Sequence, residues 1–215
     1  PDLKPCVALL DPELTLGLPP HLTAWTGVDA LTHAIEAYVV PDFNPLCDAM
    51  ALEGLALIAQ ALEQAVAKPD DLEARGRMLL GSCLAGIAFL KGLGHVHAMS
   101  HMVGAEYDTQ HGLTNAIVLP VVLRYNLPDL PEKTRRMAEA MGLGAQDWRA
   151  FCADIDGILD RLDIPKSLAE IGVEMDSAER LAGKAMLDAA AGTNPRQSSA
   201  AEMQSLIETA ISEAR

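Results

Sequence analysis

The sequence predicts an all-α protein, a multi-helix bundle with one short strand-like stub at its N-terminal edge. Half of the 215 residues are hydrophobic but only 4% are aromatic. Alanine, leucine and methionine supply most of that apolar mass, which favours helices over strands. Helix starts and stops recur along the chain, and a single segment, Cys6–Leu10 (CVALL), reads as a strand before the Asp11–Pro12 turn. A lone strand needs sheet partners. The stub is therefore expected to be left from an α/β domain that precedes these residues, and the start at Pro1 fits a piece of a longer protein.

After Pro19–Pro20 a first helix is expected from Leu22 to Tyr38, closed by Pro41. Thr26 is its candidate cap, which would place Asp29 and His33 in the first turns. Asn44–Pro45, a cap followed by a proline at the first helical position, opens a second helix toward Ala67. Asp70–Asp71 starts a third that runs to about Leu90, and Gly92 and Gly94 break it. A histidine-rich segment follows. His111–Gly112 precedes an apolar stretch through Val122, ended by Asn126 and Pro128. Shorter amphipathic helices are expected over Glu132–Ala140, Ala145–Leu162 and Ser177–Ala190, with a stub after Pro165. Gly192–Gln197 (GTNPRQ) reads as a turn, and Ser198–Ser199 caps a last helix to about Ser212.

A formal charge of −14 argues against a nucleic-acid or anionic-membrane surface, because both need clustered Lys and Arg. No apolar run approaches the roughly 18–20 residues that span a bilayer. No signal peptide is visible. Cys6, Cys47, Cys83 and Cys152 are scattered without CxxC spacing, which fits reduced thiols in a cytoplasmic protein.

All six histidines lie between His21 and His111. GVDALTHAIEAY places Asp29 and His33 four residues apart, and GHVHAMSHMVGAEYDTQHG places His97 and His101 four apart, with His111 beyond. Positions i and i+4 share one helix face, so each pair can converge on a point. Taken singly, Asp29 is an ordinary carboxylate and His33 an ordinary surface imidazole. Together, one aspartate and four histidines in two helical pairs plus a loop residue read as a metal site, since these are the ligand types a divalent transition metal takes. Not all five fit one ion, and four ligands plus an open position suit catalysis. His95 lies off the shared face, and His21 sits in a solvated turn. Glu106 and Asp108 are either acceptors that would fix ligand tautomers or ordinary exposed carboxylates. HExxH, GxSxG and Walker-type glycine loops are absent.

These segments resemble the C-terminal helical domain of the iron-containing (group III) alcohol dehydrogenases, in the dehydroquinate-synthase-like superfamily. KPCVALLDPELTLGLPPHLTAWTGVDALTHAIEAYV is similar to that family's junction and first helix, GHVHAMSHMVGAEYDTQHGLTNAIVLPVVLRYN to its glycine- and histidine-rich signature, and the late NPRQ also fits. The resemblance implies a junction segment over 1–20 and a helical metal-binding catalytic domain over 21–215. It implies Asp29, His33, His97 and His111 as ligands of Fe²⁺ or Zn²⁺. It implies His101 beside the nicotinamide and the substrate, as a catalytic and cofactor-binding residue that helps proton movement. Two positions depart from the family pattern: Gln110 stands where proline usually precedes the last ligand, and Ser100 where alanine often precedes His101.

By the same resemblance, NAD(P) is bound mainly by the absent N-terminal domain, and the longer protein is a homo-oligomer, dimeric or larger. The reaction expected is hydride transfer between a small alcohol or aldehyde and NAD(P), with the substrate oxygen polarised by the ion. Two other readings stay open: a metal-dependent hydrolase or lyase using the same ligands on water, and a catalytically silent helical binding or assembly module.

Overall fold

The computed structural model describes residues 7–215, and among them it is helical with no strand. Residues 7–10 have no regular secondary structure and are exposed. The expected strand over Cys6–Leu10 is therefore not formed at these positions, and Cys6 itself lies outside the described residues. No neighbouring strand offers a ladder, so the segment's backbone groups face solvent instead. A 3₁₀ turn, Pro12–Thr15, follows and is capped by Asp11, whose Oδ1 accepts the Glu13 N–H at 2.9 Å.

Helix α1 spans Pro20–Val39 and is buried along most of its second half. Its start corrects the expectation for Thr26. The helix opens on Pro20 at its first position with no side-chain cap, and Thr26 lies inside it, its hydroxyl donating to the Leu22 carbonyl at 2.7 Å. Helices α2 (Pro45–Ala67) and α3 (Leu72–Ala88) form a hairpin packed against α1. Their caps are those the sequence announces: Asn44 Oδ1 accepts the Cys47 N–H at 3.2 Å, and Asp71 Oδ1 accepts the Ala74 N–H at 3.0 Å. Gly54 and Gly81 face each other so closely that a Cβ on Gly54 would lie 3.0 Å from the Gly81 carbonyl oxygen. Against the expectation from the sequence, α2 is long and apolar enough to cross a membrane by length and composition alone. Here it lies between α1 and α3, with Ala51, Leu55, Ile58 and Leu62 in the core.

The chain turns by 103° between α3 and the next long helix. Phe89–Lys91 closes α3 in a 3₁₀ turn, and Gly92 takes the positive φ of 127° that the turn requires. Helix α4 (His95–Tyr107) then packs on α5 (His111–Asn126). From Gly112 to Leu123 every residue of α5 is buried, which makes it the central rod of the bundle. Helix α7 (Trp148–Arg161) packs on one flank of this rod, with α6 (Pro131–Met141) between it and α2, and α9 (Ala200–Ser212) packs on another, with α8 (Ala178–Ala185) between it and α4. Helix α7 begins after Asp147, which caps it, rather than at Ala145, and α8 stops at Ala185 rather than Ala190. Ser199 and Glu202 form a reciprocal capping box at the start of α9.

Two lysines, one buried and one half-buried, tie distant helices together. Lys133 Nζ donates to the Tyr38, Val39 and Val40 carbonyls at the C-terminus of α1, at 2.8, 3.2 and 2.9 Å. Lys91, 6% exposed, pairs with Asp48 of α2 and also donates to the Tyr38 carbonyl. A cation at a helix C-terminus meets the negative end of the helix dipole.

Candidate metal centre

Helices α1, α4 and α5 each send side chains to one point. On α1, Asp29, His33 and Glu36 follow one another at i, i+4 and i+7 and so share a face. On α4, His97 and His101 are one turn apart, with ring centroids 5.7 Å from each other. His111 is the first residue of α5 rather than a loop residue, and Gln110 caps that helix, its Oε1 accepting the Leu113 N–H at 2.6 Å. Gln110 thus supplies the helix start that a proline would otherwise favour.

Asp29, His33, His97 and His111 each offer one donor atom, and these atoms all lie within 4.8 Å of one another. Asp29 Oδ1 is 3.9 Å from His97 Nε2 and 3.6 Å from His111 Nε2, and its Oδ2 is 3.9 Å from His33 Nδ1. One divalent ion bound tetrahedrally at about 2.0–2.2 Å would hold its donors roughly 3.3–3.6 Å apart, close to these spacings. Burial pushes the His33 imidazole down from 6.5 to about 4 against the opposing pull of Asp29, and burial also lowers His111. Both are therefore neutral at pH 7, the state in which an imidazole presents a lone pair to a cation. Three nitrogens and one carboxylate oxygen, already converged, fit a divalent transition metal in both chemistry and spacing.

His101 is brought beside this group but is not one of its four donors. Its ring stacks on that of His111 with centroids 5.5 Å apart, and its Nδ1 lies 2.9 Å from Asp188 Oδ2, between α8 and the last turn before Asn194. Its side chain is 41% exposed, so one edge reaches solvent.

Three polar neighbours of the cluster have no precedent in the sequence reading. Asn115 Nδ2 donates to Asp29 Oδ1 at 2.6 Å and sits 3.2 and 3.0 Å from the Nε2 atoms of His97 and His111. Glu36 lies under His97, and Asp188 lies against His101. Asn115 falls at i+4 from His111 and Glu36 at i+3 from His33, so helical spacing was a usable signal for both. Asp188 carried no local signal.

The two carboxylates considered as acceptors lie elsewhere. Glu106 is held by Arg180 and Lys184, whose hydrogen bonds bring its carboxyl down to about 2, and Asp108 ends α4 in the left-handed region at φ 53°. His21 is exposed on α1, edge-on to Trp25 with centroids 4.9 Å apart. His95 is 1% exposed, and neither ring nitrogen has a hydrogen-bond partner among the described residues.

The NPRQ segment organises the region behind α4. Asn194 Oδ1 accepts the His95 N–H at 3.1 Å and the Asn126 amide at 2.9 Å, while its own amide donates to Asn126 Oδ1 and to the Arg196 carbonyl.

Comparison with known proteins places this arrangement in a family. The chain is 43% identical over 214 residues to 1,3-propanediol dehydrogenase of Klebsiella pneumoniae, covering 96% of this chain and 55% of that one. It is 38% identical to the NAD-dependent methanol dehydrogenase of Bacillus methanolicus, covering 97% and 57%. The iron-containing alcohol dehydrogenase from Thermococcus thioreducens superposes with a TM-score of 0.88 at 32% identity, covering 98% of this chain and 56% of that structure. The chain thus spans a little over half the length of these relatives. Residues 23–211 match the model described as the Fe-containing alcohol dehydrogenase family, C-terminal, and the chain belongs to that family.

Proposed function

We propose that this chain is the metal-holding helical part of a longer NAD(P)-dependent alcohol dehydrogenase, with residues 1–20 a junction and 21–215 the catalytic helical domain. The observation that carries the proposal is the convergence of Asp29, His33, His97 and His111 from three helices onto one point, with donor atoms within 4.8 Å. Those four residues would hold Fe²⁺ or Zn²⁺. When bound, the ion supplies Lewis acidity toward an alcohol or carbonyl oxygen.

The chain's own groups supply the rest. Neutral His33 and His111 keep lone pairs available at pH 7, because burial opposes their protonation. Asn115 donates to Asp29 Oδ1 from beside the cluster and so holds that carboxylate in place. His101 is the proposed catalytic residue and also borders the cofactor. With Nδ1 held by Asp188, its other nitrogen is free to accept the hydroxyl proton and pass it to solvent along the exposed edge. NAD(P), held mainly outside this chain, would supply the hydride acceptor or donor for the substrate carbon. The substrate is a small alcohol or its aldehyde, as the names of the relatives indicate for those proteins.

The longer protein is proposed to be a cytoplasmic homo-oligomer. The free Cys47, Cys83 and Cys152 fit a reducing compartment.

The test is made in the longer protein. Asp29→Ala and His111→Ala should each lower bound metal and alcohol-dependent NAD(P)H formation together. Wild-type values for both quantities in either variant would overturn the ligand assignment.

A further inference from the structure

Glu36 is a buried acid at the junction of two helices, 2% exposed, and it makes three contacts there. Its Oε1 accepts the Val96 N–H at 2.8 Å, its Oε2 is 3.4 Å from the His97 backbone nitrogen, and the same Oε2 is 2.6 Å from His97 Nδ1. Helix α4 starts after Gly94, which has no side chain with which to cap it. The free N–H groups of its first turn are met instead by Glu36 of α1 and by Asn194. A carboxylate is favoured at this end of a helix, where the dipole is positive. Gly94 is required for the approach, because a Cβ there would lie 2.7 Å from Glu36 Oε1.

A neutral imidazole carries one proton for two nitrogens. The carboxylate at Nδ1 would claim it as an Nδ1–H donor, leaving Nε2, which faces Asp29 and the Asn115 amide, as the unprotonated nitrogen. We infer that Glu36 is a positioning residue that holds His97 in the Nδ1–H tautomer and aims its Nε2 at the donor cluster, so that the site is set before a cation arrives. The inference rests on the metal reading above. Such carboxylate–histidine contacts fix ring orientation and raise ligand basicity.

Glu36→Gln separates this role from plain helix support. The glutamine oxygen can still accept the Val96 N–H. Its amide would then donate toward His97 Nδ1 and drive the ring proton to Nε2, where it blocks the cluster. Zn²⁺ is titrated against a competing chelator in the longer protein, in wild type, Glu36→Gln and His97→Ala. The expected result is one tightly held ion per chain in wild type and affinity weaker by about 10- to 100-fold in Glu36→Gln. The metal-free wild type and glutamine variant should unfold at similar temperatures. Wild-type affinity in Glu36→Gln, with binding lost in His97→Ala, sinks the role of Glu36 alone. Equal binding in wild type and His97→Ala would mean that the metal reading itself has failed and takes this inference with it. Should the glutamine variant not fold, nitrogen-15 histidine labelling of metal-free wild type reads the tautomer directly: His97 must show a protonated Nδ1, and a proton on Nε2 overturns the inference.

Discussion

Gly112 and Trp25 meet backbone to backbone, so that a Cβ on Gly112 would lie 2.4 Å from the Trp25 carbonyl oxygen and 3.1 Å from Asp29 Cβ. Only glycine lets α5 approach α1 this far, and that approach is what sets His111 beside Asp29. Gly112→Ala is expected to force the helices apart, at a cost in stability of about 1–3 kcal/mol. Ion affinity should fall with it. Urea unfolding reads the first effect and chelator competition the second. Unchanged affinity would show that the α1–α5 spacing does not set the cluster.

A cation that binds the folded donors and not the unfolded chain stabilises the fold by mass action, by about 2.7 kcal/mol when free ion stands at 100 times Kd. Thermal melts with and without Zn²⁺ should therefore separate for the wild-type chain and coincide for Asp29→Ala and His111→Ala. A full metal-dependent rise in either variant would remove that residue from the donor set.

His101 and Asp188 predict a split between binding and chemistry. His101→Ala should leave ion affinity near wild type, because its ring lies outside the four donors. In the longer protein it should slow alcohol-dependent NAD(P)H formation by roughly 100- to 10,000-fold, the usual span for a lost proton-transfer group. Asp188→Asn should move the rate in the same direction by a smaller factor. Parallel loss of metal and rate in His101→Ala would reassign it as a ligand.

Burial pushes the His95 imidazole down from 6.5 to about 4. The unfolded chain takes up that proton near pH 6.5, while the folded chain resists until near pH 4. The stability tied to His95 is thus complete above the upper value and drains away as pH falls toward the lower one. His95→Leu removes the titration and also removes two ring nitrogens that have no partner among the described residues. Its stability at pH 7 should change by less than about 1.5 kcal/mol, as for other swaps of similar volume. Between pH 6.5 and 4 it should decline less steeply than wild type. Acid limbs of equal slope in denaturant titrations would count against this account.

Asn194→Ala would strand the His95 N–H and both functions of the Asn126 amide, all of them buried. A loss of at least about 3 kcal/mol is expected, since each of the three buried groups left without a partner costs about 1–3 kcal/mol. Chemical denaturation measures it. A loss under about 1 kcal/mol would mean that these groups find other partners.

Local chemistry made most of the helices legible. Asn44, Asp71 and Ser199 act as caps where the sequence places them, because a short side-chain oxygen satisfies N–H groups within its own first turn. Thr26 misled because α1 starts on Pro20 with no capping side chain at all, and a threonine inside a helix can turn its hydroxyl back to the preceding turn. The apolar run CVALL reads as a strand by composition, yet strand identity requires a partner that the described residues do not contain.

At the site, the i, i+4 spacing announces Asp29 with His33 and His97 with His101, and the structure brings these pairs together with His111. For Glu106 and Asp108 the sequence left two readings open, acceptors beside the ligands or exposed carboxylates, because nearness in sequence does not fix nearness in space. Glu106 reaches Arg180 and Lys184 on α8 instead. Glu36 meets His97 only because α1 abuts the start of α4, and Asp188 meets His101 only through the placement of α8. Spacing on α1 puts Glu36 on the face of His33 but does not encode its meeting with His97, and no local pattern encodes that of Asp188 with His101.

The donors of the cluster come from both ends of a long stretch of chain, and this has a temporal meaning. During synthesis Asp29 and His33 emerge well before His97 and His111. A nascent chain therefore exposes two donors on one helix, too few to compete for a scarce cation. Under the proposed ligand assignment, uptake would wait until α4 and α5 have docked on α1. If the ion is Fe²⁺, that delay keeps a half-ligated, oxygen-reactive iron off a chain that is still unfolded.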